Sequence, residues 1–147
     1  MKLILVAEDE HGHGKILQLL LEDSGYRVAL APDGQAALEF LQGEIPALIL
    51  SDYMMPVMTG AEFGEAVRSK AEFRDIPFIF MSGTNESIVR NQFRHYDAFL
   101  TKPYNFDELL SAIEELIRTG RPQKKTISLS EAPVQEFLRD MGVPPKG

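Results

Sequence analysis

The sequence contains no cysteine. This absence excludes a disulfide framework and any metal site built from thiolates, and it fits a reducing compartment. Apolar runs of membrane-spanning length are absent too. The apolar residues 3–7 could open a signal peptide, but the acidic residues Glu8, Asp9 and Glu10 cut that run short. We therefore expect a cytoplasmic protein with no membrane contact.

Positive charge is also scarce. The chain carries 15 Lys and Arg against 22 Asp and Glu, a net charge of −7. Surfaces that bind nucleic acid need positive potential, so direct binding to DNA or RNA is not expected. The basic residues Arg121, Lys124 and Lys125 are interpreted as solvated charges in a linker.

Short apolar segments alternate with helical patterns along the chain. The segments, each predicted to be a buried strand, cover residues 3–7, 27–31, 47–50, 78–81 and 98–100. The intervening stretches carry apolar residues at helical spacing. This alternation predicts parallel strands with right-handed crossovers. The predicted fold is α/β: a flavodoxin-like, doubly wound five-stranded parallel sheet in a three-layer α/β/α sandwich.

The pattern predicts one domain over residues 1–119 and an extension over residues 120–147. After a polar and basic linker, Ser130 could cap a short helix with Pro133 in its first turn. Its apolar face comprises Val134, Phe137, Leu138 and Met141. Such a helix is too short to be stable alone, so it should dock on its own domain, a second copy or a partner. A homodimer is one possibility.

Polar side chains follow four of the predicted strands. They are Glu8 and Asp9 after the first strand, Asp52 after the third, Ser82 after the fourth and Lys102 after the fifth. Open α/β sheets bind their ligands beyond the carboxyl ends of the strands. Clustered carboxylates repel one another, which raises their proton affinity or demands a cation, and hard oxygen ligands suit Mg²⁺. An ammonium group and a hydroxyl group suit a phosphoryl group.

This combination resembles the receiver domain of response regulators, the phosphoacceptor module of two-component signalling. The matching motifs are Glu8-Asp9, Asp52 with Met55-Pro56 and Gly60, Ser82-Gly83, and Lys102-Pro103, over about residues 2–118. The resemblance implies that Asp52 accepts a phosphoryl group from a sensor histidine kinase or phosphotransfer protein. It also implies Mg²⁺ (or Mn²⁺) bound by Asp9, Asp52 and the backbone carbonyl of Met54, with Glu8 holding a metal-bound water.

The resemblance further implies a conformational switch. Lys102 would pair with Asp52 before transfer and with the phosphoryl oxygens afterwards, while Ser82 would move to bond the phosphoryl group. Phe99 would rotate inward with Ser82, although an aromatic residue in a strand could also be plain core. The output surface for a downstream protein would then be the 86–117 face, formed by the helix over residues 86–94, the strand over 98–100 and the last helix.

Two regions depart from the family pattern. The sequence His11-Gly12-His13-Gly14 weakens the start of the first helix, because glycine disfavours helix. A zinc site at His11 and His13 is not expected, and both side chains should be exposed, although His13 could approach the crevice. Met54 and Thr84 occupy positions that tune phosphoryl lifetime in the family. Neither is a water-positioning acid or amide, which predicts slow, unassisted dephosphorylation.

The expected protein is thus a stand-alone receiver that switches protein–protein interactions and is not an enzyme beyond its own phosphorylation and dephosphorylation. Alternatives remain open. The sequence could be a piece of a hybrid kinase or a multidomain regulator. A metal-dependent phosphatase with an aspartyl nucleophile would need a second acid, where Tyr53 and Met54 follow Asp52. A flavodoxin-type cofactor binder would have to place phosphate beside Glu8, Asp9 and Glu10.

Overall fold

The computed structural model describes residues 1–122. The linker lysines and the predicted C-terminal helix lie outside the described residues. Within residues 1–122, no helix combines the length and apolar character required to cross a membrane.

Five parallel strands form one sheet in the order β2-β1-β3-β4-β5. The strands are β1 Leu3–Ala7, β2 Arg27–Ala31, β3 Leu48–Asp52, β4 Phe78–Ser82 and β5 Ala98–Thr101. The helices are α1 His11–Asp23, α2 Gly34–Leu41, α3 Gly60–Arg68, α4 Glu86–Gln92 and α5 Phe106–Thr119, with a 3₁₀ turn at Ala71–Phe73. The predicted flavodoxin-like fold is confirmed.

Two apolar layers enclose the sheet because successive strand residues point to opposite faces. Leu5, Ile49 and Phe78 pack with α2, α3 and α4. Ile4, Leu48 and Ile79 pack with α1 and α5. The central strands β1, β3 and β4 are buried along their whole length. This burial on both faces explains why their sequences are continuous apolar runs rather than alternating ones.

Helix α1 begins at His11 despite its two glycines. A Cβ atom at Gly14 would lie 2.9 Å from Leu30 Cδ1, so this glycine permits α1 to approach β2 closely. The buried face of α1 consists of Gly14, Leu17 and Leu21. Ile16 and Leu20 also fit the helical pattern in the sequence, but they are exposed.

An ion cluster closes the edge of the sheet where the strands begin. Asp97 precedes β5, and its carboxylate accepts from Arg68 Nη2 at 3.1 Å and from Arg121 Nε at 2.9 Å. Burial, together with the Arg121 charge, lowers the pKa of Arg68 to about 10. The expectation that Arg121 is a solvated linker charge was wrong, because its side chain is only 9% exposed. Sequence patterns do not reveal this pairing, since its partners are 24 residues or more apart along the chain.

Val57, in the loop after β3, adopts the left-handed backbone conformation with φ of 69°. This conformation costs a residue with a Cβ atom about 1–2 kcal/mol, and Asn tolerates it better than Val. Because the Val57 side chain is 82% exposed, little burial is lost on substitution. Val57→Asn should therefore raise the free energy of unfolding by about 1 kcal/mol in urea denaturation. Val57→Ala keeps the Cβ atom and should gain less; equal gains would show that backbone strain is not the cause.

Candidate functional site

The carboxyl edge of the sheet collects the predicted site residues. Asp52 and Ser82 are the last residues of β3 and β4. Glu8 and Lys102 each come directly after a strand, β1 and β5 respectively. The strand order places β3 between β1 and β4, so Asp52 stands at the centre of this edge.

Asp52 and Lys102 form the central ion pair. Lys102 Nζ lies 2.8 Å from Asp52 Oδ2 and 3.5 Å from Glu8 Oε1. The other Asp52 oxygen, Oδ1, accepts from the backbone N–H of Met54 at 3.2 Å. The Asp52 side chain is 8% exposed. The strand order thus places a carboxylate and an ammonium group together at this edge.

Burial and charge perturb both partners of Asp52. Burial raises the pKa of Glu8, and the hydrogen bond and charge of Asp52 raise it further. For Lys102, burial alone would lower the pKa, but Asp52 and Glu8 together raise it above its ordinary value. The ammonium group therefore stays charged beside two carboxylates that repel each other.

Three carboxylates offer oxygen atoms that all lie within 4.8 Å of one another. They belong to Glu8, Asp9 and Asp52. The three carboxylates outnumber the single ammonium group of Lys102, and a divalent cation can offset the excess of negative charge. All the donor atoms are oxygens, the protein supplies few of them, and the site is exposed at Asp9. These features fit Mg²⁺, which retains several waters. The residues present therefore fit the metal that the resemblance implies.

His13 joins this site, contrary to the expectation that it is exposed. Its Nδ1 contacts Glu8 Oε1, and its Nε2 lies 2.9 Å from the Tyr104 hydroxyl. Burial, with the charges of Glu8 and Asp52, raises the pKa of Tyr104, so the phenol keeps its proton. The imidazole thus bridges the Glu8 carboxylate and the Tyr104 hydroxyl. The position of His13 in the first turn of α1, five residues after Glu8, was the available signal. His11 is exposed as predicted.

The predicted switch residues lie on the neighbouring strands. The Ser82 hydroxyl is buried and accepts from the Thr84 N–H at 2.9 Å. Phe99 is partly buried against the core, and its ring centroid lies 5.9 Å from that of Tyr96. Tyr96 in turn donates to Glu86 Oε2 of α4 at 2.6 Å. A chain of contacts thus joins β5 to the start of α4.

A glycine brings α3 against the central loop. Gly60 N donates to Tyr53 O at 2.8 Å, and a Cβ atom at Gly60 would lie 2.7 Å from Tyr53 Cα. Any larger residue would push the start of α3 away from the loop that follows Asp52. The match of Gly60 to the family pattern therefore has a steric reason in this chain.

The family model of the response regulator receiver domain matches residues 4–114. The chain belongs to this family. Among similar proteins, response regulator Rre1 of Synechocystis sp. is 34% identical over 142 residues, covering 94% of this chain and 61% of Rre1. The receiver thus spans less than two thirds of the length of that relative.

Solved structures agree with this membership. Chemotaxis response regulator CheY4 of Vibrio cholerae superimposes with a TM-score of 0.73 at 30% identity, covering 79% of this chain and 98% of CheY4. Response regulator TrrA of Thermotoga maritima, solved in complex with Mg²⁺ and BeF, gives a TM-score of 0.71 at 30% identity, covering 79% of this chain and 99% of TrrA. The receiver described here is a phosphoacceptor module of two-component signalling.

Glu8 should make the stability of the metal-free receiver depend on pH. Its pKa in the folded state lies above the ordinary value of 4.5. Its contribution to stability is therefore fully present below about pH 4.5 and is lost as pH rises through the folded-state pKa. Because the glutamine of Glu8→Gln cannot ionise, the free energy of unfolding of this variant should increase relative to that of the parent as pH rises. Urea denaturation with a chelator, over a pH series, measures the difference.

The control for this pH series is Glu10→Gln, which removes an exposed negative charge two residues away. It should follow the parent at each pH. A gap between Glu8→Gln and the parent that is constant with pH would contradict the ionisation argument.

Proposed function

We propose that Asp52 is the phosphoacceptor. A carboxylate oxygen of Asp52 attacks the phosphorus of a phosphohistidine; the new O–P bond forms as the N–P bond breaks, and the imidazole leaves with a proton. The observation that carries this proposal is the 2.8 Å ion pair between Lys102 and Asp52 at the carboxyl edge of the sheet. The ammonium group is positioned to stabilise negative charge on the transferring phosphoryl oxygens.

A divalent cation, Mg²⁺ or in its place Mn²⁺, would be held by Asp9, Asp52 and the backbone carbonyl of Met54. Glu8 would hold one of its waters. With a cation held there, the negative charge of these carboxylates would be offset, and the electrostatic barrier to an anionic donor would be lower. The short separations among the three carboxylates support this assignment. His13 supports it as well, because its contact fixes one oxygen of Glu8.

After transfer, the phosphoryl group would compete for partners that Asp52 and the nearby loops already hold. Lys102 would bind its oxygens, and the Ser82 hydroxyl would leave the Thr84 N–H to reach it. Phe99 would then turn inward from Tyr96, loosening the contact between Tyr96 and Glu86. The phosphoryl group thereby stabilises one of two accessible conformations. The 86–117 face, from α4 to α5, would carry the signal to a downstream protein.

The partners follow from this chemistry. The donor would be a sensor histidine kinase or a phosphotransfer protein, and the target would be a protein rather than nucleic acid, in the cytoplasm. A homodimer is one form that the target contact could take. We propose no activity beyond phosphorylation and dephosphorylation of the receiver itself. Because the chain covers 61% of Rre1, a larger regulator remains an alternative setting for the same switch.

Dephosphorylation should be slow. The Met54 side chain is 65% exposed beside the acceptor and has no group that can orient an attacking water. Thr84, the other position that tunes phosphoryl lifetime, donates its backbone N–H to the Ser82 hydroxyl. The proposal therefore includes an unassisted attack of water on the acyl phosphate.

The acceptor assignment is tested with a small phosphodonor and Mg²⁺, followed by intact-mass measurement. The parent should gain one phosphoryl group, and Asp52→Asn should gain none, because an amide nitrogen or oxygen is a far weaker nucleophile than a carboxylate. Asp23→Asn, which changes an exposed carboxylate at the end of α1, should label like the parent. Equal labelling of Asp52→Asn and the parent would show that another residue is the acceptor.

The switch assignment is tested separately with Ser82→Ala. This variant keeps Asp52 and Lys102 and should still label, although the loop loses one hydrogen bond. Hydrogen exchange of the 86–101 segment should change on phosphorylation of the parent and change much less in Ser82→Ala, because the hydroxyl cannot follow the phosphoryl group. Thr101→Ala, exposed at the end of β5, is the control and should behave like the parent. An unchanged response in Ser82→Ala would remove Ser82 from the switch.

A further inference from the structure

A groove between α2 and α3 ends at the 3₁₀ turn. Its volume of about 590 Å³ is far above the ~30 Å³ that one water occupies, so it has room for several side chains. Leu38, Leu41, Ala66 and Phe73 supply the apolar part of its lining. Ile45 also lines it and is 55% exposed, so it adds accessible apolar surface to the groove.

The charged side chains that line this α2–α3 groove are mainly acidic. Glu39 and Glu72 line it and make no ion pair with any residue in the 1–122 range, whereas Glu44 pairs with Arg27 at 3.1 Å. Lys70 contributes a single positive charge to the lining. An occupant with an apolar face that arrives with basic residues would match this surface.

The chain leaves the described part of the fold beside the same groove. Arg121 Nη1 donates to the carbonyl oxygen of Arg74 at 2.8 Å, while its Nε is held by Asp97. Arg74 directly follows the 3₁₀ turn, and Glu72 and Phe73 of that turn line the groove. The contacts of the buried Arg121 side chain therefore place the end of the described chain beside the groove.

The segment beyond this point has the composition that the groove requires. It begins with the basic pair Lys124 and Lys125, and it continues with a stripe at helical spacing formed by Val134, Phe137, Leu138 and Met141. Residues 123–130 can span at most about 28 Å, which exceeds the ~10 Å diameter of a helix. A helix over residues 131–141 would be about 16 Å long, comparable with the ~12 Å of the eight-residue α2.

We propose that residues 131–141 dock as an amphipathic helix in the α2–α3 groove of their own chain, with Lys124 and Lys125 facing its acidic rim. Docking would bury the apolar stripe, which a helix of this length needs in order to form. It would also cover Ile45. The docked segment would lie at the opposite side from the α4–β5–α5 face, so it would leave the proposed signalling surface open.

A second groove competes for the same segment. It is lined by Ile16, Leu20, Tyr104 and Phe106, beside Lys102 at the carboxyl edge of the sheet. Arg121 is anchored at the other edge, next to the 3₁₀ turn. The contact between Arg121 and Arg74 and the acidic rim together favour the α2–α3 groove. A spin label on the segment distinguishes the two grooves.

Because the chain contains no cysteine, one introduced cysteine can carry a spin label at a single known position. Asp140→Cys, carrying a nitroxide, should broaden the amide signals of α2 and of the α3–3₁₀ region selectively. Phe137→Asp should abolish this broadening, because a charge would enter the apolar stripe. Ile45→Glu should weaken it from the groove side, because it adds a carboxylate to an acidic lining. The exposed Ile88→Glu on α4 is the matched control and should leave it intact.

Sample composition separates the possible occupants. A mixture of spin-labelled, unenriched protein with unlabelled, isotope-enriched protein should show no broadening, since docking is within one chain. Broadening in that mixture would instead show that a second copy fills the groove. In the sample whose molecules carry both the spin label and the isotope, broadening centred on α1 would overturn the proposal. Absence of broadening in that sample would overturn it too.

Discussion

The buried ion pair between Lys102 and Asp52 constrains the rest of this receiver. Withdrawing an isolated charge from water costs several kcal/mol, so the carboxylate at the end of β3 requires a cation within reach. Lys102 can supply it because β5 is the edge strand beside β4, and β4 lies beside β3. This strand order brings Lys102 Nζ within 2.8 Å of Asp52 Oδ2, so the ammonium group compensates the carboxylate.

The pair compensates only part of the local charge. Glu8 and Asp9 add two further carboxylates within 4.8 Å, and burial keeps the pKa of Glu8 raised. The site is therefore poised for a divalent cation, and the same excess of negative charge disfavours an anionic ligand without one. His13 and Tyr104 belong to this balance because His13 contacts Glu8 Oε1, the oxygen that also faces Lys102, and Tyr104 in turn contacts His13. The proposed metal site and the proposed phosphoryl site share these few atoms.

The two edges of the sheet are held by different interactions. At the edge where the strands begin, Arg68, Asp97 and Arg121 tie α3, the residue before β5 and the segment after α5 together with buried charge-assisted hydrogen bonds. At the carboxyl edge, the Thr84 N–H donates to the Ser82 hydroxyl in the loop after β4, and Lys102 ties the loop after β5 to Asp52. A bound group at this edge can repartition such bonds without disturbing the core.

The strand pattern, the fold class and the residues at the strand ends could be predicted from the sequence alone, because buried parallel strands are apolar runs that stop at polar residues. The same pattern sufficed to group Glu8, Asp9, Asp52, Ser82 and Lys102, since the carboxyl ends of parallel strands share one edge. The contacts of His13 and Arg121 could be seen only in the folded structure. Their partners lie on other elements, and local periodicity carries no information about which surface side chains those elements bring together.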